Sequence, residues 1–322
     1  MKKIWSILVV FLYIPSAYGQ GNWENIYKQV QEAYVYQVTV EDLAVSVLKA
    51  LNKVDRNIVV GNDNRRMTLY CKGRVVKVLN KPEDKNNVDI WGKITEDFIV
   101  TAIEKSPEAE RRDFELNDIV AKEMVKSLDK DSKFYGNIDE ANGVTRRHKR
   151  QFVARLEDKV LYIKIATINK QTCNEVEKAL DEYSTAKELI IDLQGCPGGM
   201  VGEAIKIADL FLDGGIIASS KGKNIGEEIF YTADEKVMWQ GKAIKILVDE
   251  ETASAAEILT AALAEQGRAD VEGAVTKGKG TMQKLIVLPS GSVLAITNGF
   301  FMTPSGHEIN GKGVNLKYKI PE

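Results

Sequence analysis

At 322 residues, 44% of them apolar and 28% charged, the chain has the make-up of an ordinary soluble globular protein with room for a real core. Its formal charge of −2, which becomes −4 without Lys2 and Lys3, argues against a nucleic-acid partner, whose backbone demands a basic surface. The three cysteines, Cys71, Cys173 and Cys196, form no disulfide framework, although one pair could close in an oxidising compartment. With only His148 and His307 to join them they lack zinc spacing, so no metal and no cofactor is expected. Neither histidine has the surroundings of a nucleophile-activating triad, and a hydrolase built on this chain would need another base.

Lys2 and Lys3, an apolar run over residues 4–14 and Ala17-Tyr18-Gly19 predict a signal peptide over residues 1–19, with an uncleaved anchor as the alternative. The mature chain is then exported, to the periplasm first or fully secreted. Residues 38–51 place Val40, Leu43, Ala44, Val47, Leu48 and Leu51 on one helical face. A polar break follows over residues 55–64, and residues 67–79 alternate as a strand or hairpin. Residues 91–103 are ambiguous between helix and strand. Residues 114–128 return to helix, with Leu116, Ile119, Val120, Met124 and Leu128 as its stripe. Residues 20–150 therefore read as an N-terminal, mostly helical subdomain. Its basic end, from Arg146 to Arg150, is a solvated linker or a patch for an acidic partner.

From Phe152 onward the pattern is that of an α/β core, residues 151–322. A hairpin around Glu157-Asp158 leads to helix over residues 173–183 and a short apolar strand over 188–193. A glycine loop precedes a second helix over residues 200–212. Another strand, 243–248, feeds a helix over residues 254–265. Residues 284–302 look like paired strands turning at Pro289-Ser290-Gly291.

Three segments carry possible chemistry. Ser254 sits at a helix start, near backbone N–H groups that would stabilise developing negative charge. Ser254-Ala-Ala-Glu257 is also a capping box, so the hydroxyl could simply cap, although Thr252 can do that as well. Lys279 lies in Gly273-Ala-Val-Thr-Lys277-Gly-Lys279-Gly280, which is no phosphate loop because Gly280 stands where Ser or Thr is required. It can act as a base only if burial or neighbouring charge lowers its pKa; otherwise it is a surface lysine. Asp192-Leu-Gln-Gly195-Cys-Pro-Gly198-Gly199, at the end of a strand, is either a plain turn or an anion-binding nest.

In this order, the three segments resemble the carboxyl-terminal processing, or tail-specific, proteases of peptidase family S41. The likeness runs from about Phe152 to Val314. It takes in Ile205-Lys-Ile-Ala-Asp-Leu-Phe-Leu212, Thr252-Ala-Ser-Ala-Ala-Glu257, Gly278-Lys-Gly-Thr-Met-Gln283, Thr303-Pro-Ser-Gly306 and Gly311-Lys-Gly-Val314. It implies a ClpP/crotonase-like catalytic core and a serine endopeptidase that processes or degrades exported polypeptides at unstructured or C-terminal segments. Ser254 would be the nucleophile and Lys279 the base. Gln283 would position the lysine, and the amides of Gly198 and Ala255 would form the oxyanion hole, with Gly199 a substitute for Gly198. A non-enzymatic scaffold on the same fold is the alternative, and a possible homodimer is expected.

The chain departs from the family at several places. Gln194 replaces an arginine, Gly195 and Cys196 replace asparagine-type positions, and Asn315-Leu-Lys317 replaces the usual Pro-Asp. Lys277 stands where the family is usually aromatic, and its ammonium would help depress Lys279 if both were desolvated. Phe152 follows Tyr135 by only 17 positions, too few for the PDZ domain that members commonly insert there. Substrate capture is then left to the catalytic groove, the helical subdomain or an adaptor protein.

Overall fold

The computed structural model describes residues 22–141, 152–223, 228–234 and 237–314. The predicted leader, the basic residues Arg146 to Arg150 and Asn315 to Lys317 lie outside them. So do residues 142–151, on which the expected absence of a PDZ domain turns. Among the described residues no helix is long and apolar enough to cross a membrane. The described residues form two compact units, one drawn from residues 22–28, 39–127 and 287–292, the other from those described within 29–38, 128–286 and 293–314; the division falls within helix α1 (Trp23–Ala33).

In the first unit α2 (Val40–Lys49) and α3 (Leu51–Val54) bury the whole predicted stripe, Val40, Leu43, Ala44, Val47, Leu48 and Leu51. Thr39 caps α2 in a closed box. Its hydroxyl accepts from Asp42 N–H at 3.1 Å, and the Asp42 carboxylate accepts from Thr39 N–H at 3.3 Å. Strands β1 (Ile58–Asn62), β2 (Arg66–Cys71) and β3 (Arg74–Asn80) make an antiparallel sheet in that order. Strand β1 arises from the predicted polar break, because the β2 edge satisfies its backbone while only Ile58 is buried. The ambiguous stretch is helical: α4 (Val88–Lys105) is capped by Asn87 and buries Trp91, Ile94, Phe98 and Ala102. Helices α5 (Pro107–Arg111) and α6 (Asp113–Lys126) complete the unit.

Beyond residues 29–38, the second unit holds strand β4 (Lys133–Tyr135) and helix α7 (Ile138–Ala141). Strands β5 (Phe152–Glu157) and β6 (Val160–Ile165) form the expected hairpin, turning through Asp158 and Lys159 at φ 47° and 68°. Then come α8 (Thr172–Glu182), β7 (Glu188–Asp192), α9 (Val201–Asp209), β8 (Ile216–Gly222) and β9 (Ile229–Thr232). Strand β10 (Ala243–Val248), helix α10 (Ala255–Glu265) and strands β11 (Asp270–Gly273), β12 (Thr281–Val287) and β13 (Val293–Met302) follow. One five-stranded sheet has the order β11-β10-β7-β6-β5, parallel except for β5. Leu161, Ile163, Leu189, Ile191, Ile246 and Val248 from its strands, with residues from α8, α9 and α10, form the main core.

The expected ClpP/crotonase-like core is corrected here. After α9 the chain leaves the parallel sheet, and β8 pairs antiparallel with β13 and β9 in a second sheet, ordered β12-β13-β8-β9 with β4 on β13. The cause lies in β8 itself. Its central residues Ile217, Ala218, Ser219 and Ser220 are all buried, so the strand needs cover on both faces and a pairing partner on each edge.

Candidate active site

Strands β7 and β10 run parallel and adjacent, with Asp192 opposite Leu247. Their carboxyl ends therefore release two loops at one place, where open α/β sheets carry ligands. The loops are laced together. Leu193 N–H donates to the Leu247 carbonyl at 2.8 Å and Ala253 N–H to the Cys196 carbonyl at 2.9 Å. The Thr252 hydroxyl donates to the Leu193 carbonyl, and Gly195 N–H to Asp249 Oδ1, each at 2.9 Å. Burial pushes the Asp249 carboxyl up, but hydrogen bonds from Gly195, Thr252 and Glu251 outweigh it and hold the group below its ordinary value. Thr252 is thus committed to joining the loops and does not cap α10.

Ser254 occupies the N-cap position of α10 with φ 56° and ψ −121°, a conformation that costs a non-glycine residue about 1–3 kcal/mol. Its hydroxyl makes no cap hydrogen bond. The box positions are filled, but the bonds run from Ser254 N–H to Glu257 Oε2 at 2.7 Å and from Glu257 N–H to the Ser254 carbonyl at 2.8 Å. Gly198 is pressed against this turn at φ +91°: a Cβ there would lie 2.5 Å from the Ala253 carbonyl, 2.8 Å from Ala255 N and 2.9 Å from Ser254 Cβ. Only glycine fits. Ala255 opens α10, so its N–H has no intrahelical acceptor. The structure thus brings Ser254, Ala255 and Gly198 together.

Glu257 ties the lysine segment to the same place. Its fully buried carboxylate receives Ser254 N–H and, from 19 to 22 residues away, the Thr276 hydroxyl (2.6 Å), Gly278 N–H (2.6 Å) and Lys279 N–H (2.8 Å). Lys277 N–H donates to the Thr252 carbonyl at 2.9 Å. Beyond these, Val314 N–H donates to Thr276 Oγ1 at 2.7 Å and Gly311 N–H to the Gly278 carbonyl at 2.8 Å, so the turn at residues 309–314 backs the lysine segment.

Burial lowers the Lys279 pKa first; the Lys133 and Lys277 ammonium groups add to the effect, while Asp131 and Glu257 oppose it. This is the direction a general base requires. Lys277 plays a smaller part than the sequence implied: it is exposed and paired with Glu251 at 2.9 Å, whereas Lys133 on β4 acts more strongly. The Gln283 side-chain amide donates to the main-chain carbonyl of Asp131, fastening the segment that carries Asp131 and Lys133 beside β12. Burial raises the Cys196 thiol to about 11, against a hydrogen bond from the Gly198 backbone. Cys71 and Cys173 are likewise free and buried.

Two contributors escaped the sequence reading. Glu257 was legible only as the far end of a capping box. Lys133 gave no local signal, since it acts on Lys279 through space from a distant part of the chain.

Residues 159–320 match the family model described as Peptidase family S41. The chain belongs to peptidase family S41. The S41 match covers both loops, Ser254, Glu257 and Lys279. A "Probable CtpA-like serine protease" of Staphylococcus aureus (strain N315) is 31% identical over 320 residues, covering 90% of this chain and 62% of that protein. The protein of the same description from Staphylococcus saprophyticus is 25% identical over 328 residues, 93% of this chain and 65% of its own length. The chain thus spans less than two thirds of the length of these relatives. A solved structure described as a lipoprotein from Streptococcus agalactiae superposes with a TM-score of 0.53 at 18% identity, covering 87% of this chain and 92% of that one. The fold is accordingly an S41 peptidase fold and not the ClpP/crotonase-like one that the sequence resemblance had implied.

Proposed function

We propose that this S41 member is a serine endopeptidase acting on unstructured or C-terminal segments of exported polypeptides. The observation that carries the reading is the Glu257 carboxylate, which holds the backbones of Ser254 and Lys279 at one point while Gly198 packs against the serine. Lys279, its pKa lowered, takes the proton from Ser254 Oγ, and the oxygen attacks the peptide carbonyl. The N–H groups of Ala255 and of Gly198 or Gly199 receive the negative oxygen. Collapse of the tetrahedral species passes the proton to the leaving amine and leaves an acyl-serine, which water then hydrolyses.

Export rests on the leader pattern of residues 1–19, and the periplasm is the compartment we propose. Polypeptides are the partners the chemistry takes, with delivery by the catalytic groove or by an adaptor protein. Hydrolysis of labelled casein by the purified mature chain, beside Ser254→Ala and Lys279→Ala, tests the reading. Cleavage that survives in either variant sinks it.

A further inference from the structure

Asp192 closes β7 and starts the loop that ends at Gly198. Its carboxylate is buried, and three donors meet it: the Tyr162 hydroxyl, Lys164 Nζ at 2.8 Å and Gln194 N–H at 2.9 Å. Tyr162 and Lys164 both come from β6, where Lys164 is the register partner of Asp192. The same Lys164 ammonium donates to the Gln194 carbonyl at 2.7 Å. One cation therefore holds both the carboxylate at the base of the turn and the peptide carbonyl two residues on, while the carboxylate holds that residue's N–H. The Gln194 residue is gripped at both of its backbone polar groups.

This grip has a mechanical purpose, given what comes next. Gly195 turns at φ +68°, Cys196 is locked to Ala253, and Gly198 is wedged within a Cβ's width of Ser254. Position 194 itself carries a neutral side chain, so no charge on the loop can serve. Lys164, 30% exposed at its side chain, forgoes full hydration to supply that charge from the adjacent strand.

We propose that Lys164 is a positioning residue for the oxyanion loop, fixing the turn from Asp192 to Gly195 and through it the Gly198 backbone against Ser254. The inference rests on the Ser254/Lys279 reading for its catalytic consequence, but the fixing of the loop is measurable without catalysis. Hydrogen exchange of the amides of residues 193–199 is compared in the mature chain, Lys164→Met and Lys164→Arg, alongside kcat and KM for labelled casein. In Lys164→Met, exchange across residues 193–199 is expected to rise tenfold or more while α10 stays protected, with kcat down about tenfold and KM unchanged. Lys164→Arg, which keeps the charge and the donors, restores both. Lys164→Gln replaces Lys164→Met should the latter fail to fold. Unchanged exchange at residues 193–199, or a loss that Lys164→Arg does not repair, overturns the proposal. A mature chain that cleaves casein no faster than Ser254→Ala defeats the protease reading instead, and the exchange result still decides the role of Lys164.

Discussion

Helices α2 and α10 begin with the same kind of sequence, a hydroxyl residue followed three positions later by an acid, and they use it in opposite ways. At α2 the box closes on itself: Thr39 and Asp42 satisfy each other's backbone, partly in solvent. At α10 the acid is buried, and most of its capacity goes outward to Thr276, Gly278 and Lys279. The hydroxyl at α2 is consumed by capping, whereas the one at α10 is left without a cap bond. A capping pattern therefore says where a helix starts and not where its acid is spent. The spending distinguishes a structural cap from a site.

The sharpest break of the comparison is removal of the uncapped hydroxyl. Ser254→Ala and Lys279→Ala are each expected to lower casein hydrolysis by about 10⁴-fold or more, with circular-dichroism melting near that of the parent chain. Gly198→Ala comes next. Its methyl would meet the Ala253 carbonyl at 2.5 Å, so the loop must retreat, and a loss of about 10²-fold in kcat is expected from the displaced donor. Glu257→Gln leaves one acceptor oxygen where there were two, stranding buried donors. Both readouts should move, activity by about tenfold or more and stability by about 2 kcal/mol in urea melts.

A smaller effect is read on the pH axis. Activity should rise with pH as Lys279 loses its proton, with a midpoint below the ordinary 10.5. Lys133→Met removes a neighbouring cation and should carry that rise to higher pH, more than Lys277→Met does; equal profiles would remove Lys133 from the site. The sign for stability follows from linkage. The unfolded chain binds more protons at this lysine between its folded pKa and 10.5, so its contribution to stability improves as pH rises through that window. The smallest effect falls at α2, where Thr39→Ala should cost about 1 kcal/mol and leave casein hydrolysis intact.

Much of this was legible from periodicity and local motifs. The α2 stripe, the β5–β6 hairpin, the β7 and β10 strands and the loops that follow them all declare themselves within a few residues. The second sheet did not. Strand β8 is a short run of Ile, Ala and Ser without alternation, and the partner on one of its edges, β13, lies about 80 residues further on. For the same reason the site was legible as three separate segments but not as a connected unit. Glu257 reaches Thr276, Gly278 and Lys279 by loop contact, Lys133 acts on Lys279 through space, and Lys164 meets Asp192 across strand register, none of which single-sequence periodicity encodes. The fold family was misjudged because matching loops around a nucleophile say little about where the intervening strands go.

The backing of the lysine segment by residues 309–314 bears on timing. A polypeptide is synthesised, and threaded across a membrane, from its N-terminus. Until Gly311 and Val314 have emerged, Gly278 and Thr276 keep their bonds to Glu257 but lack the backing of this last turn, so the lysine segment is completed later than the serine turn it adjoins.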